Sequence, residues 1–112
     1  MAGERPFRLN DLVSAAFIAR KPLSKAGQSV GEVIVEAGRA QNVLKVTYIT
    51  LGGNVETRYI EPLEIRAHGK RIQLYAHHRG YHRTASFVLD RLITAEERPR
   101  LQWESPYTWQ SG

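Results

Sequence analysis

The sequence predicts a mainly β, α+β domain in which one or two helices precede a small five-stranded β-barrel. In the first third of the chain, apolar residues recur at intervals of three and four, which is typical of amphipathic helices. After Asn42 the interval becomes two, and turn residues separate short segments, which is typical of antiparallel strands. A chain of 112 residues has room for one hydrophobic core, so we expect these segments to fold together.

A first helix is predicted over residues 11–21. Asn10 can cap its start, and apolar residues from Leu9 onward follow one helical face. Pro22 ends the helix because proline lacks the N–H that a helix interior requires. Residues 23–29 (LSKAGQS) are then predicted to form a loop.

A second helix is predicted to begin at Ser29. Ser29 and Glu32 have the spacing of a capping box, in which each side chain bonds a free backbone N–H of the first turn. Val30 opens an apolar series at helical intervals that continues to Gln41. The β-branched run at 33–35 opposes this assignment, since β-branched residues favour strands.

Five strands are predicted to follow, the first over residues 43–51. Gly52 and Gly53 form a turn after it, and Pro62 marks a later strand boundary or bulge because it cannot donate to a ladder. The other four predicted strands cover residues 56–60, 63–67, 71–76 and 85–89.

The chain is expected to divide into an N-terminal helix and loop (1–28), a barrel domain (29–97) and an aromatic C-terminal tail (98–112). Both tryptophans, Trp103 and Trp109, lie in the tail. A large aromatic side chain can bury about 150–250 Å² and seldom stays in water. We therefore expect the tail to dock, either on this domain or on a second copy.

The charge distribution predicts an anionic partner. The net charge is +5, and residues 66–89 contain five Lys/Arg, all four histidines and no acidic residue. No window approaches the roughly 18 apolar residues of a membrane span, and the N-terminus lacks the apolar run of a signal peptide. Because the chain has no cysteine, disulfides and thiolate metal sites are excluded. We expect a cytoplasmic protein without a cofactor or a membrane partner.

Several segments resemble, in their order and spacing, the WYL domain of bacterial transcriptional regulators and phage-defence regulators. The first strand contains VTY (46–48), Gly52-Gly53 follows it, and RYIEPLEI (58–65) and FVLDRL (87–92) are similar to two family blocks. The resemblance covers roughly residues 30–95 and implies an Sm-like small β-barrel. The family usually carries a DNA-reading domain, for which about thirty preceding residues are too few. The resemblance therefore implies a free-standing, divergent sensor or binding module.

The chain departs from the family pattern at two places. The Trp-Tyr-Leu that names the family is Ile72-Gln73-Leu74 here, so only the leucine is kept. Val88 replaces an arginine that belongs to the set the family is thought to use for anionic ligands, whereas Arg91 matches. If the chain binds anions as the resemblance implies, it does so with Arg91 but without an arginine at position 88.

The histidine-rich segment 75–87 (YAHHRGYHRTASF) raises the question of a metal or catalytic site. His78 and His82 have the spacing at which a helix places two imidazoles on one zinc ion. Gly80 and the strand-like flanks oppose a helix, so exposed histidines around a hairpin turn are predicted instead. The chain contains no nucleophile elbow, phosphate-binding loop or dinucleotide motif, and the sequence therefore predicts a protein that is not an enzyme.

A basic and aromatic face on this hairpin is the predicted site, with nucleic acid (single-stranded or duplex) or a nucleotide-type effector as partner. Guanidinium groups hold phosphates and aromatic rings stack on bases, whereas a merely solvated hairpin would bind neither. The predicted residues are Arg79, Arg83 and Arg91 on phosphates, Arg71 and Lys70 beside them, Tyr75 and Tyr81 for stacking, and His77 and His78.

A protein-interaction or dimerisation module is the alternative function. Such a module would act as an accessory regulator of a transcription or defence complex. The aromatic tail and the N-terminal helix motivate this alternative, since either could join a partner protein or form a homodimer.

Overall fold

The structure, a computed structural model, describes residues 25–110, and the predicted first helix at 11–21 lies outside them. An α-helix comes first and five strands follow it, which confirms the predicted mainly β fold class. The elements are α1 (Lys25–Ala40), β1 (Val43–Ile49), β2 (Val55–His68), β3 (Arg71–His78), β4 (Arg83–Val88), a 3-10 turn (Leu89–Arg91) and β5 (Leu92–Arg98).

The five strands form one antiparallel sheet in the order β4-β3-β2-β1-β5. Strands β1 to β4 follow one another as hairpins, and the chain then crosses to place β5 beside β1. The sheet is strongly curved, because the rings of Tyr48 in β1 and Phe87 in β4 have centroids 5.2 Å apart. Three strand spacings in a flat sheet would separate these strands by about 14 Å. Such curvature is that of a small barrel.

Strand β2 is one continuous strand of 14 residues where the sequence predicted two. Its pairing with β3 shifts register between Pro62 and Glu64, which is a β-bulge. A bulge tolerates proline because it interrupts the ladder at the point where the N–H is missing. The predicted strands at 56–60 and 63–67 are therefore the two halves of one bent strand.

Strand β5 is absent from the sequence prediction, whose fifth strand (85–89) corresponds to β4. Leu92 is the only buried residue among the seven of β5, so the segment lacks the apolar alternation that identifies a strand. Its place beside β1, with Ala95 opposite Val46, depends on the crossover. The predicted number of strands is right, but their assignment is wrong at β2 and β5.

Helix α1 begins at Lys25, four positions before the predicted cap at Ser29. The predicted loop over 23–29 is therefore wrong from residue 25 onward, and Ser29 is an exposed residue inside the helix. The β-branched run at 33–35 does not prevent the helix, because Ile34 is fully buried. Burial of such a side chain contributes about 1.5–3 kcal/mol, more than its helix-propensity cost of less than about 0.7 kcal/mol.

The core lies between α1 and the concave side of the curved sheet. Within residues 25–110, no helix is both long and apolar enough to cross a membrane. The principal buried side chains are those of Val30, Ile34, Ala37, Leu44, Val46, Ile60, Ile65, Leu74, Phe87, Leu89 and Leu92.

The C-terminal tail lies on the domain to which it belongs. Trp109 packs so closely on α1 that a Cβ added to Gly38 would be 2.3 Å from its ring. The backbone N–H of Gln110 donates to the carbonyl oxygen of Leu63 in β2 at 2.6 Å. Of the two predicted docking modes, on this domain or on a second copy, the structure has the first.

Candidate functional site

Two of the predicted arginines, Arg71 and Arg91, meet in one pocket of about 270 Å³, here called the arginine pocket. Arg71 is the first residue of β3, and Arg91 belongs to the 3-10 turn after β4. The end of β1 and the following hairpin form the opposite wall. Among the residues that the structure describes, no acidic residue lines this pocket, so its two guanidinium groups favour an anion.

Both arginines keep hydrogen-bond donors for a ligand. Arg91 is partly buried and donates from Nη1 to the carbonyl oxygen of Thr50 at 3.1 Å, which fixes its position. Within residues 25–110, neither Arg71 nor Arg91 forms an ion pair with a carboxylate. A guanidinium has five N–H donors. Arg91 therefore combines a structural bond with a place in the pocket.

An aromatic pair borders the arginine pocket. Tyr48 and Phe87 make an edge-to-face contact with an interplanar angle of 79°, and both line the pocket. Burial raises the pKa of the Tyr48 hydroxyl above its ordinary value of 10.0, and the nearby Glu56 carboxylate raises it further. Tyr48 is therefore a neutral hydrogen-bond donor at physiological pH. Sequence reasoning did not assign either aromatic residue to the site. Alternation shows which face of the sheet a side chain lies on, but not which distant strand the curvature of the sheet brings into contact with it.

Two of the residues at which the chain departs from the family pattern, Gln73 and Val88, also line the arginine pocket. The pocket therefore contains two arginines and lacks the third arginine that the family pattern has at position 88. Tyr75 lies beside this wall, and its hydroxyl donates to Gln73 Oε1 at 3.1 Å. The guanidinium of Arg66 lies 5.6 Å from the Tyr75 ring centroid, so part of the predicted stacking surface already contacts a cation.

Lys70 is exposed in the β2–β3 turn, directly before Arg71. Gly69 in this turn has φ of 62°, a conformation that residues with a Cβ rarely adopt. The turn therefore places Lys70 directly before Arg71 in the chain, although Lys70 is not among the residues that line the arginine pocket.

Arg83, Tyr81 and His78 form a separate group at the other end of β3. Arg83 is paired with His78 in the β3–β4 ladder, and its guanidinium carbon lies 5.3 Å from the Tyr81 ring centroid. The rings of His78 and Tyr81 are stacked, with centroids 4.2 Å apart. Burial lowers the pKa of His78 below its ordinary 6.5, and the positive charges of Arg58 and Arg83 lower it further. His78 is therefore a neutral imidazole at physiological pH.

Arg79 has its charge compensated by carboxylates. Its guanidinium donates to Glu61 Oε2 at 2.9 Å and to the Gln102 carbonyl oxygen at 2.6 Å, and it lies 3.4 Å from Glu104. Glu61 is fully buried and also accepts the backbone N–H groups of Glu104 and Ser105. We call this arrangement the tail clamp. The guanidinium of Arg79 attaches the tail to β2, which conflicts with its predicted role on phosphates.

His77 and His78 are buried, at 8% and 4% exposure, so the prediction of exposed histidines is wrong for this pair. The reason is that β3 extends two residues beyond the predicted strand at 71–76 and brings both histidines into the sheet. His82, in the following turn, is exposed. In the part of the chain that the structure describes, no group of three or more His, Asp or Glu residues is arranged to hold a metal ion.

The strand register explains why the predicted basic face is divided. Side chains alternate along β3, so Tyr75 and His77 lie on one side of the sheet and His78 on the other. Arg83 shares the side of His78 because directly paired residues point the same way. Arg71 and Arg91 meet where β3 begins and β4 ends. One stretch of sequence therefore supplies three different environments.

Comparisons with known proteins agree with this fold. Residues 30–97, more than half of the chain, match the model of the WYL domain. A search of the curated proteins finds no match. Among solved structures, proteasome accessory factor B/C (PafBC) of Arthrobacter aurescens is similar, with a TM-score of 0.65 and 22% identity over 70% of this chain and 12% of that chain. At this identity the similarity to PafBC supports the fold alone. From the extent of the domain match, the chain belongs to the WYL domain family, a family of regulatory modules.

Proposed function

We propose that the arginine pocket binds a phosphate group of a nucleic acid strand or of a nucleotide-type effector, and that this binding is the regulatory function of the domain. The observation that supports the proposal is the convergence of Arg71 and Arg91 from different elements on a pocket that no acidic residue lines within residues 25–110. Guanidinium groups bind phosphates with two parallel hydrogen bonds, which gives both strength and orientation.

The size of the pocket limits what it can enclose. Its volume of about 270 Å³ is below the roughly 300–1,000 Å³ of sites that surround a drug-sized ligand. The pocket therefore suits one phosphate and the atoms next to it, and the rest of the ligand lies on the surface. Lys70, exposed beside Arg71, is positioned to contact a neighbouring phosphate.

A longer ligand can also reach Arg83 and Tyr81. Strand β3 separates this group from Arg71 by seven residue steps, or about 23 Å. A strand of B-form nucleic acid rises about 3.4 Å per nucleotide, so about seven nucleotides span both groups. An oligonucleotide can therefore contact the arginine pocket and Tyr81 together, whereas a mononucleotide contacts one of them.

Titration of labelled single-stranded and duplex oligonucleotides and of a mononucleotide, at two salt concentrations, tests the proposal. We expect affinity to fall as salt rises, since phosphate contacts release counterions, and each of Arg71→Ala and Arg91→Ala to lower the salt slope by about one. Arg83→Ala should weaken oligonucleotide binding alone. The matched control is Arg39→Ala, which removes an arginine from the surface of α1 outside the pocket.

Affinity that is independent of salt would contradict the proposal. So would equal affinities of the Arg71→Ala, Arg91→Ala and Arg39→Ala variants, because charge at the pocket would then have no special role. A mononucleotide that binds as tightly as an oligonucleotide would restrict the ligand to an effector.

Protein interaction, as an accessory regulator of a transcription or defence complex, is the second candidate function. Exposed apolar side chains around the β1–β2 hairpin favour it, since Leu51 is 87% and Val55 62% exposed. The docked tail no longer supports it. Light scattering of the full chain and of Leu51→Asp tests self-association, and two monomers of equal mass would remove the homodimer from consideration.

A further inference from the structure

The polar groups of the arginine pocket are mainly hydrogen-bond donors. Besides Arg71 and Arg91, the polar side chains that line it within residues 25–110 are those of Tyr48, Thr50, Gln73 and Ser86. The hydroxyl of Thr50 already accepts the backbone N–H of Asn54 at 3.1 Å, and its carbonyl oxygen accepts a hydrogen bond from Arg91. A ligand in this pocket is therefore offered donors, and it should itself be an acceptor.

Two carboxylates lie near the arginine pocket without lining it. Asp90 precedes Arg91 in the chain and is exposed. Glu56 is opposite Tyr48 in the β1–β2 pairing, and its Oε1 is paired with Nη2 of Arg58 at 2.5 Å, which compensates its charge. The hydroxyl of Tyr48 interacts with this same carboxylate, so we do not assign it to a ligand. The described lining residues therefore present two positive charges and no negative one.

Gln73 supplies a third donor on the wall that contains Arg71. The two residues are two positions apart in β3, so their side chains lie on the same side of the sheet. Gln73 is half-buried, and its Oε1 accepts the hydroxyl of Tyr75 at 3.1 Å. Because this contact occupies the oxygen of the amide, Nε2 with its two N–H donors is the end that remains for a ligand.

The number of charges and donors separates the two kinds of phosphate that nucleic acids contain. An internal phosphate is a diester, with a single negative charge and two free oxygens. A terminal phosphate is a monoester, with a charge of about −1.5 to −2 at pH 7 and three acceptor oxygens. Two guanidinium groups and one amide nitrogen match a monoester, whereas a diester would leave one positive charge uncompensated.

The size of the arginine pocket also suits the end of a strand. Its walls come from the β1–β2 hairpin, from β3, and from β4 with the 3-10 turn, and they enclose about 270 Å³. An internal phosphate needs space for a sugar on both sides, whereas a terminal phosphate needs it on one side only. A strand whose end enters the pocket can continue along β3 toward Tyr81.

We propose that the arginine pocket selects a terminal phosphate monoester, at the end of an oligonucleotide or on a free nucleotide, and that Gln73 determines this selectivity. The selectivity rests on the proposed function of the pocket and narrows its ligand. Arg71 and Arg91 neutralise the two charges, and the amide nitrogen of Gln73 donates to the third oxygen. Tyr75 is a positioning residue, because it acts through the orientation of the Gln73 amide.

The test is a fluorescence anisotropy titration of the full-length protein with single-stranded oligonucleotides of one sequence. They differ only in one end, which is a phosphate monoester, the methyl ester of that phosphate or a hydroxyl, and each set is made for the 5′ and for the 3′ end. A monoester at one of the two ends should bind at least about tenfold more tightly than its methyl ester, which is a diester. A hydroxyl-ended oligonucleotide one nucleotide longer has the same number of phosphates and should bind no better than the methyl ester.

Competition with adenosine monophosphate distinguishes the two sources of a terminal phosphate. Adenosine monophosphate should displace the phosphorylated oligonucleotide, and its methyl ester should be at least about tenfold weaker as a competitor. The affinity of adenosine monophosphate relative to that of the phosphorylated oligonucleotide shows whether the ligand is a free nucleotide or a strand end.

Variants of two residues test the assignment to Gln73. Gln73→Leu removes the amide donors and should remove most of the preference for the monoester over the methyl ester. Tyr75→Phe removes only the hydroxyl that orients the amide, so it should reduce the preference by a smaller factor. Gln102→Leu is the matched control, since Gln102 is exposed and lies outside the arginine pocket, and it should keep the full preference. The comparison of ligands on the wild-type protein does not depend on the folding of any variant.

The possible failures of this proposal and of the proposed function are different. Equal affinities for the monoester and its methyl ester, with binding that still depends on salt and on Arg71, would overturn the selectivity and leave phosphate binding intact. A preference that is unchanged in Gln73→Leu would overturn the role of Gln73. Absence of salt-dependent binding by every oligonucleotide would contradict the proposed function itself, and the selectivity with it.

Discussion

Arg79 and Arg71 come from the same acid-free stretch of the sequence but have opposite surroundings. Arg71 lines a pocket without acidic residues and has no ion pair among the described residues. Arg79 is paired with Glu61, which lies 18 positions earlier in the chain and reaches it through the β2–β3 pairing. The comparison shows that a run of positive charge along the chain does not identify a positively charged surface.

Because of these surroundings, loss of Arg79 and loss of Arg71 should have different effects on the protein. Glu61 is fully buried, so its carboxylate depends on Arg79 and on the tail N–H groups that it accepts. Arg71 is exposed, and its guanidinium contributes little to folding. Loss of Arg79 should therefore affect stability, and loss of Arg71 should affect binding.

The largest expected effect is that of Arg79→Ala on stability. Removal of one partner from a buried ion pair costs about 3–5 kcal/mol, and we expect about 3 kcal/mol here because Arg79 itself is partly exposed. Urea unfolding measures the change. Arg71→Ala is the control and should alter stability by no more than about 0.5 kcal/mol. Equal stability losses in the two variants would break the comparison.

A second effect concerns the other attachment of the tail, at Gly38. In an exposed helix, glycine to alanine stabilises by up to about 1 kcal/mol. Here the new Cβ would be 2.3 Å from the Trp109 ring, so Gly38→Ala should instead destabilise by about 1–3 kcal/mol. Thermal unfolding and tryptophan fluorescence are the measurements. A stabilised variant with unchanged fluorescence would show that Trp109 does not pack there.

Val88→Arg tests the comparison through its effect on oligonucleotide affinity. This change supplies a third guanidinium at the wall of the arginine pocket, at the position where the family pattern has an arginine. We expect about tenfold tighter oligonucleotide binding and a steeper salt dependence, in line with one added charge-assisted contact. Val88→Leu is the uncharged control. Unchanged affinity in Val88→Arg would argue against phosphate binding at this wall.

The smallest expected effect is the pH dependence of stability that arises from His78. Burial and the facing charges of Arg58, Arg83 and His77 lower its pKa in the folded state below 6.5. The unfolded chain therefore takes up the proton more readily, and stability should fall as the pH drops through 6.5 and level off below the folded-state pKa.

Chemical denaturation of the His78→Gln variant between pH 7.5 and about 5 tests this prediction. The variant should lose part of the pH dependence, whereas His82→Asn, which changes an exposed histidine of the same turn, should retain it. If both variants keep the full dependence, His78 is not its source.

Part of the candidate site could be predicted from the sequence. Arg91 and Val88 were recognisable from the resemblance of the FVLDRL segment to the WYL family, and Arg71 from its place in the acid-free basic stretch. Tyr48 could not be assigned to the same pocket, because it meets Phe87 only through curvature across strands that are not neighbours in the sheet. Local periodicity contains no information on such a contact.

The tail clamp was also beyond sequence reasoning. Glu61 is one of several glutamates in β2, and nothing around it distinguishes a buried carboxylate from an exposed one. The bulge at Pro62 and the docked tail decide its burial. The tryptophans did indicate that the tail docks, since large aromatics seldom remain in water, but not where.

The sequence by itself determined the mainly β fold, the family and the positive charge of the chain. The fold and the charge follow from alternation, turn residues and composition, which are local or additive. The family follows from the order and spacing of the segments that resemble the WYL domain. The tertiary structure alone decided which arginines are free, because a salt bridge depends on distance across the sheet and not on separation along the chain. It set Arg79 against a buried carboxylate and left Arg71 and Arg91 facing an acid-free pocket.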